Sequence, residues 1–548
     1  MLAWLAVAAV LWSGDGATPA PDPPDVPEQT PAAEPAPGPV PGLAPLPAPA
    51  PVPAPAPVSA PAPASPPAPV VQPLAPLDED WPSDLEDRPL VSHPYLYTAL
   101  ETALVLAGGT VWYLRHGTDE RWSRAIQWRA WKRKLLGEDV TFDGDHFNTN
   151  GMGHPIGGAA YYQIARSNGV GPAGSFLTSV IASTFWEYFV ELPEHPSLND
   201  LIMTPVAGTI IGETTYRLGR YLARSGHTGP RCVGALLFAP LAAVNDRPIC
   251  RSSTGLVPWA KLGLVTGVGR TVFNGGEVKE QVALVVASEI VTHRAYERPG
   301  QGAVNVGPGQ WTALSLDTRW GDTRLAGLWF HAESVWGGRY DRHYRVPGET
   351  EIPVNGARPR GWGTMLGLGS TFDYRLRDLP AMHDRLSTLG LGGPMFELSA
   401  RGSVHVRLSL SAQYAFALVG SMAFRDDAAL VSGQTIKTSL RYFGYYYAHG
   451  LTTAARLTID LGPVGFTGDA RGGWYWSIDS GDPAQSTLDR AVQLRDSRIY
   501  LMGSMWARPL RGVRFGMTIE HVRRASQMLD SNVIGTEDNI MATGAFGF

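Results

Sequence analysis

The chain has 548 residues, a formal net charge of −5 and two cysteines. Its longest basic run is Lys132-Arg133-Lys134, so the basic face of a general nucleic-acid binder is missing and we expect no nucleic acid as a partner. Hydrophobic residues make up 44% of the chain, a value common to soluble proteins and to β-barrels, whose lumen and lipid faces average out. Composition therefore does not decide between these two classes.

The first residues predict export. Residues 2–12 form an apolar run of the length found in secretion signals, and small residues that a signal peptidase could recognise follow it. We interpret residues 1–17 as a signal peptide. The positive residues that usually precede such a run are missing.

A proline-rich segment follows the predicted signal. Of the 46 prolines of the chain, 25 lie between Pro19 and Pro82, mostly in Ala-Pro and Val-Pro repeats. Proline fixes φ and removes a backbone donor, so residues 18–91 should form a disordered, extended linker. A tether that contacts the cell wall is the functional interpretation, and a passive linker is the alternative.

Apolar residues recur at helical spacing over residues 92–228, which predicts a helical domain of about four helices. Glu101 and the pair Gly108-Gly109 interrupt the first helix, so we expect it to be buried against protein rather than to cross a membrane. Gly208 and Gly212, four residues apart on the last helix, predict a close approach of another backbone. The predicted helices are 95–115, 155–168, 174–191 and 205–224.

A sequence signature runs through this domain: Asn150-Gly-Met-Gly-His154-Pro, then Trp186-Glu187, Pro196-Ser-Leu-Asn-Asp200 and Gly212-Glu213. It resembles an uncharacterised bacterial envelope family whose helical part is a domain of unknown function. The resemblance covers about residues 92–224. It implies an envelope location and supplies no activity.

Five residues of the helical domain have the side chains needed for acid–base chemistry or for a metal site. They are His154, Glu187, Glu191, Asp200 and Glu213. Carboxylates among packed helices are costly unless paired, so they indicate either a catalytic site or a hydrogen-bond network. No established metalloenzyme or nucleophile motif is present, and the alternative is structural: His154 caps a helix, and Glu213 pairs with Arg217. A cofactor cannot be named.

Residues 229–257 read as a connecting loop. Gly229-Pro230 opens this segment, and Cys232 and Cys250 lie within it. In an oxidising periplasm the two thiols could close a disulfide, with two unpaired thiols as the alternative.

From about residue 258 to 548 helical spacing gives way to strict alternation, which places one set of side chains toward lipid and the other toward a lumen. Several of the alternating segments are nine to fifteen residues long, as a tilted strand needs to cross a bilayer, whereas strands of a soluble sandwich are shorter. We therefore expect an α+β multidomain chain that ends in an antiparallel transmembrane β-barrel of about 12 strands. Residues 395–418 could be one long strand or a hairpin.

The inward set of the alternation contains charged residues, which we predict to line the lumen: Asp317, Arg319, Arg407, Arg441, Arg456, Asp460, Asp469 and Arg471. The terminal Phe548 suggests recognition by the barrel assembly machinery. Outer-membrane lipid is the expected partner of the outward set.

The leading hypothesis is an outer-membrane barrel with its N-terminal part in the periplasm, acting in envelope structure or in the passage of a small solute. An even strand count would put both barrel ends on the periplasmic side, so the helical domain should lie under the barrel or plug its lumen. The alternatives are an envelope hydrolase that acts on lipid or peptidoglycan through His154 and the nearby carboxylates, and a structural tether.

Overall fold

The structure is a computed structural model. It describes residues 92–116, 128–137, 140–191, 195–224, 229–245 and 259–547, the last range with breaks at 275, 322–323, 346–358, 379–382, 424–443, 479–493, 511 and 529–530. The predicted signal peptide and linker, Arg441, Cys250 and Phe548 lie outside the described residues.

The helical part consists of α1 Pro94–His116, α2 Trp128–Leu135, α3 His154–Ser167, α4 Pro172–Phe185, α5 Leu198–Ile202, α6 Gly208–Arg224, α7 Gly229–Phe238 and α8 Pro240–Asn245. Three π-helical turns, Thr149–Gly153, Trp186–Val190 and Met203–Ala207, join or extend these helices. The four predicted helices correspond to α1, α3, α4 with its π turn, and α6. Within the described residues no helix combines the length and hydropathy needed to cross a membrane.

The region expected to be a connecting loop differs from the prediction, because its residues 229–245 form α7 and α8. Pro230 and Pro240 fall in the first turn of each helix, where proline is tolerated, so they begin helices rather than break them. Cys232 on α7 is disulfide-bonded. The other cysteine of the chain is Cys250.

The strands are β1 Trp259–Phe273, β2 Glu277–Val291, β3 Gly300–Val306, β4 Trp311–Gly321, β5 Arg324–Arg345, β6 Arg360–Asp378, β7 His383–Arg401, β8 His405–Val419, β9 Tyr446–Asp460, β10 Val464–Ser477, β11 Leu494–Leu510, β12 Val513–Met528 and β13 Ser531–Gly547. All strand pairings are antiparallel, β5 pairs with β6, and β1 pairs with β13. Twelve strands thereby close a barrel, and β3 adds only a short extension along β5. The predicted barrel is confirmed.

The structure decides the alternative left open at 395–418, and the barrel has the predicted number of strands. The stretch 395–418 is a hairpin formed by β7 and β8, and β7 begins as early as His383.

The two ends of the barrel are distinguished by the chain termini. We call the end that carries Trp259 and Gly547 the terminal end, and the end that carries the β1–β2 turn at Asn274 the far end. The first residue of the barrel and its last described residue therefore lie at the same end, as expected for an even strand count.

Strand β6 shows which side chains face the lumen. Arg377 forms an ion pair with Glu537 on β13, and Arg375 lies 5.6 Å from the ring of Tyr500 on β11. Neither β13 nor β11 is a neighbour of β6, so these contacts cross the interior. Because successive side chains point to opposite faces of a strand, Phe372 and Tyr374 belong to the outer wall.

The helices pack on this outer wall. The Tyr374 hydroxyl donates to Asn148 Oδ1 at 2.6 Å, and the ring of Phe147 lies 5.7 Å from that of Tyr374. Leu218 of α6 packs against Ile290 and Leu314, which also point outward. We call α1–α8 with their π turns the helical layer. Neither expected position, under the barrel or inside its lumen, is found for the described residues: the layer covers the outside of the barrel.

Apolar burial explains this docking. One continuous core joins residues of the layer to outward residues on the far-end half of β5–β9. Its largest members include Phe142, Phe147, Met203, Phe372, Tyr374, Phe416, Tyr445 and Tyr447. Fully burying side chains of this size contributes about 1.5 to 3 kcal/mol each.

Candidate functional site

Glu213 lies in a buried ion network between α3 and α6. Its carboxylate accepts from Arg166 Nε at 2.8 Å, from Arg217 Nε at 2.8 Å and from the Tyr162 hydroxyl at 2.9 Å. Burial by itself would raise the pKa of Glu213, but the two guanidinium groups lower that pKa to about 2. Glu213 is therefore ionised and fully paired, and its pairing with Arg217 is the one that the helical spacing indicated.

His154 and Asp200 form a second cluster. His154 Nε2 lies 3.4 Å from Asp200 Oδ1, and the Asn199 amide bridges Asp200 Oδ1 at 2.9 Å and Asp143 Oδ1 at 3.2 Å. Asp143 was not among the predicted residues. Its position after the short segment 140–142 gives it no periodic signal that could have identified it.

Charge repulsion and burial set the protonation of this cluster. Burial, followed by the negative charges of Asp143 and Glu187, raises the pKa of Asp200 well above its usual value. Burial also lowers the pKa of His154. Both shifts disfavour an ion pair between the His154 imidazole and the Asp200 carboxylate.

Glu187 and Glu191 flank the cluster without joining it. The Glu187 carboxylate accepts the backbone N–H of Ser197 at 2.8 Å. Lys134 donates to the carbonyl oxygens of Glu187 at 3.3 Å and of Glu191 at 2.9 Å, at the end of the π turn, where a cation stabilises a helix terminus. Four of the five predicted residues thus lie in or beside the His154–Asp200 cluster. The fifth, Glu213, lies in the separate network with Arg166 and Arg217.

Tyrosines of the barrel complete the His154–Asp200 cluster. Asn150 Nδ2 donates to Asp143 Oδ1 at 2.5 Å, to the Tyr445 hydroxyl at 3.0 Å and to the Tyr447 hydroxyl at 2.9 Å. In turn, the Tyr447 hydroxyl donates to the carbonyl of Asp143 at 3.1 Å. The signature residue Asn150 therefore binds the helical layer to the wall of the barrel.

The chemistry available to this cluster is limited. Ser197 Oγ accepts the backbone N–H of Asp200, and Ser183 Oγ donates to the Asp200 carbonyl, so both hydroxyls already have partners in the protein. Across the residues that the structure describes, no three His, Cys, Asp or Glu side chains form a group that could hold a metal ion. The hydrolase hypothesis gains no support from this geometry.

Seven of the eight predicted lumen residues lie in described strands. Arg319 pairs with Asp317 at 3.0 Å and with Glu520 on β12 at 2.7 Å. Asp469 accepts from Arg456 and from Arg471. Arg407 binds Glu289 and Glu397, and Asp460 pairs with Arg508 near the terminal end.

Sequence reasoning missed the central network of the lumen. Arg377 binds Glu537, Glu537 binds Arg524, Arg524 binds Asp384, and Asp384 binds Arg498, with N–O distances between 2.6 and 2.9 Å. These residues come from five strands, and each side chain is at most 7% exposed. Glu520 and Arg524, four residues apart on β12, continue one face of the alternation and could have been found that way.

Two apolar clusters lie in the lumen beside the charged network. Toward the terminal end, Tyr296 packs against Trp311 and Tyr340, and its hydroxyl donates to Glu397 at 2.7 Å. Toward the far end, a second cluster contains Leu386, Val419, Tyr446, Tyr475 and Met528. The cavity lined by Arg319, Arg377, Glu520 and Glu537 measures about 40 Å³, enough for only a few water molecules.

A known protein family matches part of the helical layer. Residues 139–242 match the family "Domain of unknown function (DUF3943)". No curated protein matches the chain.

Solved structures similar to the chain include outer-membrane barrels. The NanC porin is 9% identical, and the match covers 52% of this chain and 98% of that one with a TM-score of 0.21. The translocator domain of the autotransporter NalP from Neisseria meningitidis is 8% identical, with 52% and 87% covered and a TM-score of 0.19. The outer membrane channel DcaP of Acinetobacter baumannii is 9% identical, with 54% and 99% covered and a TM-score of 0.20. At these values no functional argument rests on the likeness. Residues 139–242 thus match the model of a domain of unknown function, DUF3943, and the same chain forms a closed twelve-stranded β-barrel.

Proposed function

We propose that the protein is an outer-membrane anchor whose sealed barrel holds the helical layer at the bilayer, and that it is not a diffusion pore. The observation that carries this proposal is the network that joins Arg377, Glu537, Arg524, Asp384 and Arg498 across the lumen. A pore would need a continuous aqueous path. Ion pairs that span the lumen, and the two apolar clusters beside them, support a barrel without such a path.

The outer wall supports a membrane location. Its uncovered part carries large apolar side chains that are between 43% and 64% exposed: Val268, Leu366, Leu368, Leu451, Leu501, Met505, Phe515, Ile519 and Ile540. Trp320, Trp474 and Trp476 lie near the far end, and Trp362 and Phe546 near the terminal end, as aromatic girdles do at the two interfaces of a bilayer.

In this proposal, sequence segments at both ends of the chain direct its export and its orientation in the membrane. The signal peptide delivers the chain to the periplasm, the assembly machinery inserts the barrel through its C-terminal strand, and the proline-rich linker stays on the periplasmic side, where it can contact the cell wall. The envelope role is thus structural. Small-solute passage, our other hypothesis, is not favoured by the filled lumen.

Conductance across a planar bilayer tests the proposal. We expect the inserted wild-type protein to give no steady conductance, whereas the double variant Arg377→Ala/Glu537→Ala, in which two lumen side chains are shortened, should show measurable leakage. The resistance of the barrel to unfolding in SDS without heating confirms insertion in both samples. Discrete open-channel steps in the wild type would contradict the proposal.

A further inference from the structure

The side chains of the helical layer are distributed in the opposite way to those of a water-soluble domain. On α4, Ser175, Ser179 and Ser183 are buried, while Leu177 is 55% exposed and Ile181 is 60% exposed. The serines recur every four residues and therefore share one face of the helix, which packs inward. In water an amphipathic helix buries its apolar face and exposes its polar one.

The same inversion occurs on α1. Thr98 and Thr102 are buried, whereas Leu96, Leu100 and Leu104, again four residues apart, are exposed, and Leu104 is 70% exposed. On α7, Leu236 and Leu237 are likewise exposed, although the residue buried beside them, Ala235, is itself apolar. Three helices thus present aliphatic side chains away from the protein.

Four charged residues of the layer fit the same pattern. Arg166 and Glu213 are fully buried, and Glu187 and Asp200 are nearly so. Burying ionised groups is costly unless they are paired, and here Arg166 and Glu213 are paired with each other. Paired charges inside and aliphatic side chains outside are what a hydrocarbon solvent requires.

The position of this apolar face on the barrel indicates what contacts it. The layer covers the outward side chains of β5–β9, and beside it on the same wall Leu366 of β6 is 63% exposed. The exposed face of the layer is therefore continuous with the lipid-facing belt of the barrel. If lipid contacts Leu366 on the barrel wall, lipid also contacts Leu104 and Ile181 on the layer.

We propose that the helical layer lies within the outer membrane beside the barrel, with the exposed faces of α1, α4 and α7 in contact with lipid acyl chains. This inference rests on the proposed membrane location of the barrel. The layer enlarges the membrane-embedded body of the protein on one side and leaves the opposite wall, formed by β10–β13, to lipid.

Spin-label accessibility in the full-length protein reconstituted in phospholipid vesicles tests this inference. Nitroxide labels are placed singly through Leu104→Cys and Ile181→Cys, with Leu366→Cys as the lipid control and Glu280→Cys as the aqueous control, since the Glu280 side chain is 81% exposed close to the β1–β2 turn. All four sites are exposed, so substitution should not disturb folding. Collisions with oxygen report lipid, and collisions with a water-soluble nickel complex report water.

We expect the labels at residues 104 and 181 to match the label at residue 366, with an oxygen-to-nickel collision ratio several-fold above that at residue 280. Nickel accessibility at 104 and 181 alone would overturn the inference and leave the barrel proposal standing. Nickel accessibility at residue 366 as well would overturn the proposed function. Low collision rates with both reagents at 104 and 181 would mean that protein covers the layer, which also contradicts contact with lipid.

Discussion

Arg377 on β6 and Glu537 on β13 form an ion pair of 2.6 Å across the barrel, although their strands are not neighbours. Glu537 also accepts from Arg524, and Arg524 continues to Asp384. Strands on opposite sides of the barrel are therefore linked through side chains across the lumen, in addition to the backbone hydrogen bonds between neighbouring strands. This connection is what distinguishes the barrel from an open cylinder.

Removing the charge of Glu537 should destabilise the barrel. In Glu537→Gln the buried guanidinium groups of Arg377 and Arg524 lose a counter-ion, and breaking such a pair costs about 3 to 5 kcal/mol. The free energy of unfolding in lipid vesicles, measured by urea titration, should fall by this order. The exposed pair of Arg270 and Glu280 provides the control, since Glu280→Gln should change little. Equal effects of the two variants would contradict a buried network.

The Glu213 network predicts a pH dependence of the helical layer. Its folded-state pKa of about 2 lies below the ordinary value of 4.5, so the pair contributes stability that is present above about pH 4.5 and is lost as the pH falls toward 2. The shift corresponds to roughly 3 kcal/mol. The protection factors of the α3 and α6 amides, which correct hydrogen–deuterium exchange for its intrinsic pH dependence, should fall through this range.

A matched variant separates Glu213 from other acidic groups. Glu213→Gln should show fast exchange in α3 and α6 already at neutral pH and a flatter profile between pH 4.5 and 2. An unchanged profile would mean that other carboxylates cause the acid effect.

The contact between α3 and α6 depends on Gly158 and Gly208. A Cβ atom at Gly158 would lie 1.7 Å from the carbonyl oxygen of Thr204, and one at Gly208 would lie 2.4 Å from the backbone of Gly158. Gly158→Ala should therefore push the helices apart and cost about 1 to 3 kcal/mol. Gly157→Ala is the control, because no atom lies within 4 Å of its Cβ position. Thermal unfolding in detergent distinguishes them, and similar melting temperatures would refute the close contact.

Period-two alternation was sufficient to predict the barrel, because lipid and lumen impose opposite polarity on successive side chains. It left β7 undecided, because Gly390, Gly392, Gly393 and Pro394 surround a register shift and remove the side chains that carry the pattern. In β12 the charged residues Glu520 and Arg524 fit the alternation, but their partners on β4, β7 and β13 are set by closure of the barrel, which a single strand does not reveal.

The sequence predicts the helices of the helical layer, but it does not predict which face of each helix is exposed. The pattern of α4 separates a serine face from an aliphatic face, but periodicity does not say which of the two meets the solvent when the solvent is unknown. The candidate site had the same limit. Glu213 and Arg217 are neighbours on one helix and were predicted as a pair, whereas the contacts of Asn150 with Tyr445 and Tyr447 join positions about 300 residues apart.

Cysteine cross-linking between the layer and strand β7 tests most directly that the layer lies on the outer wall of the barrel and not in its lumen. A Cβ atom at Gly151 would lie 3.1 Å from Cβ of Ser387, close to the range that a disulfide spans, whereas the next residue, Thr388, points inward and donates to the Tyr475 hydroxyl. Under mild oxidation Gly151→Cys should form a disulfide with Ser387→Cys and not with Thr388→Cys, as read by peptide mass spectrometry. Efficient cross-linking to residue 388 and none to residue 387 would place the layer inside the barrel and contradict the account.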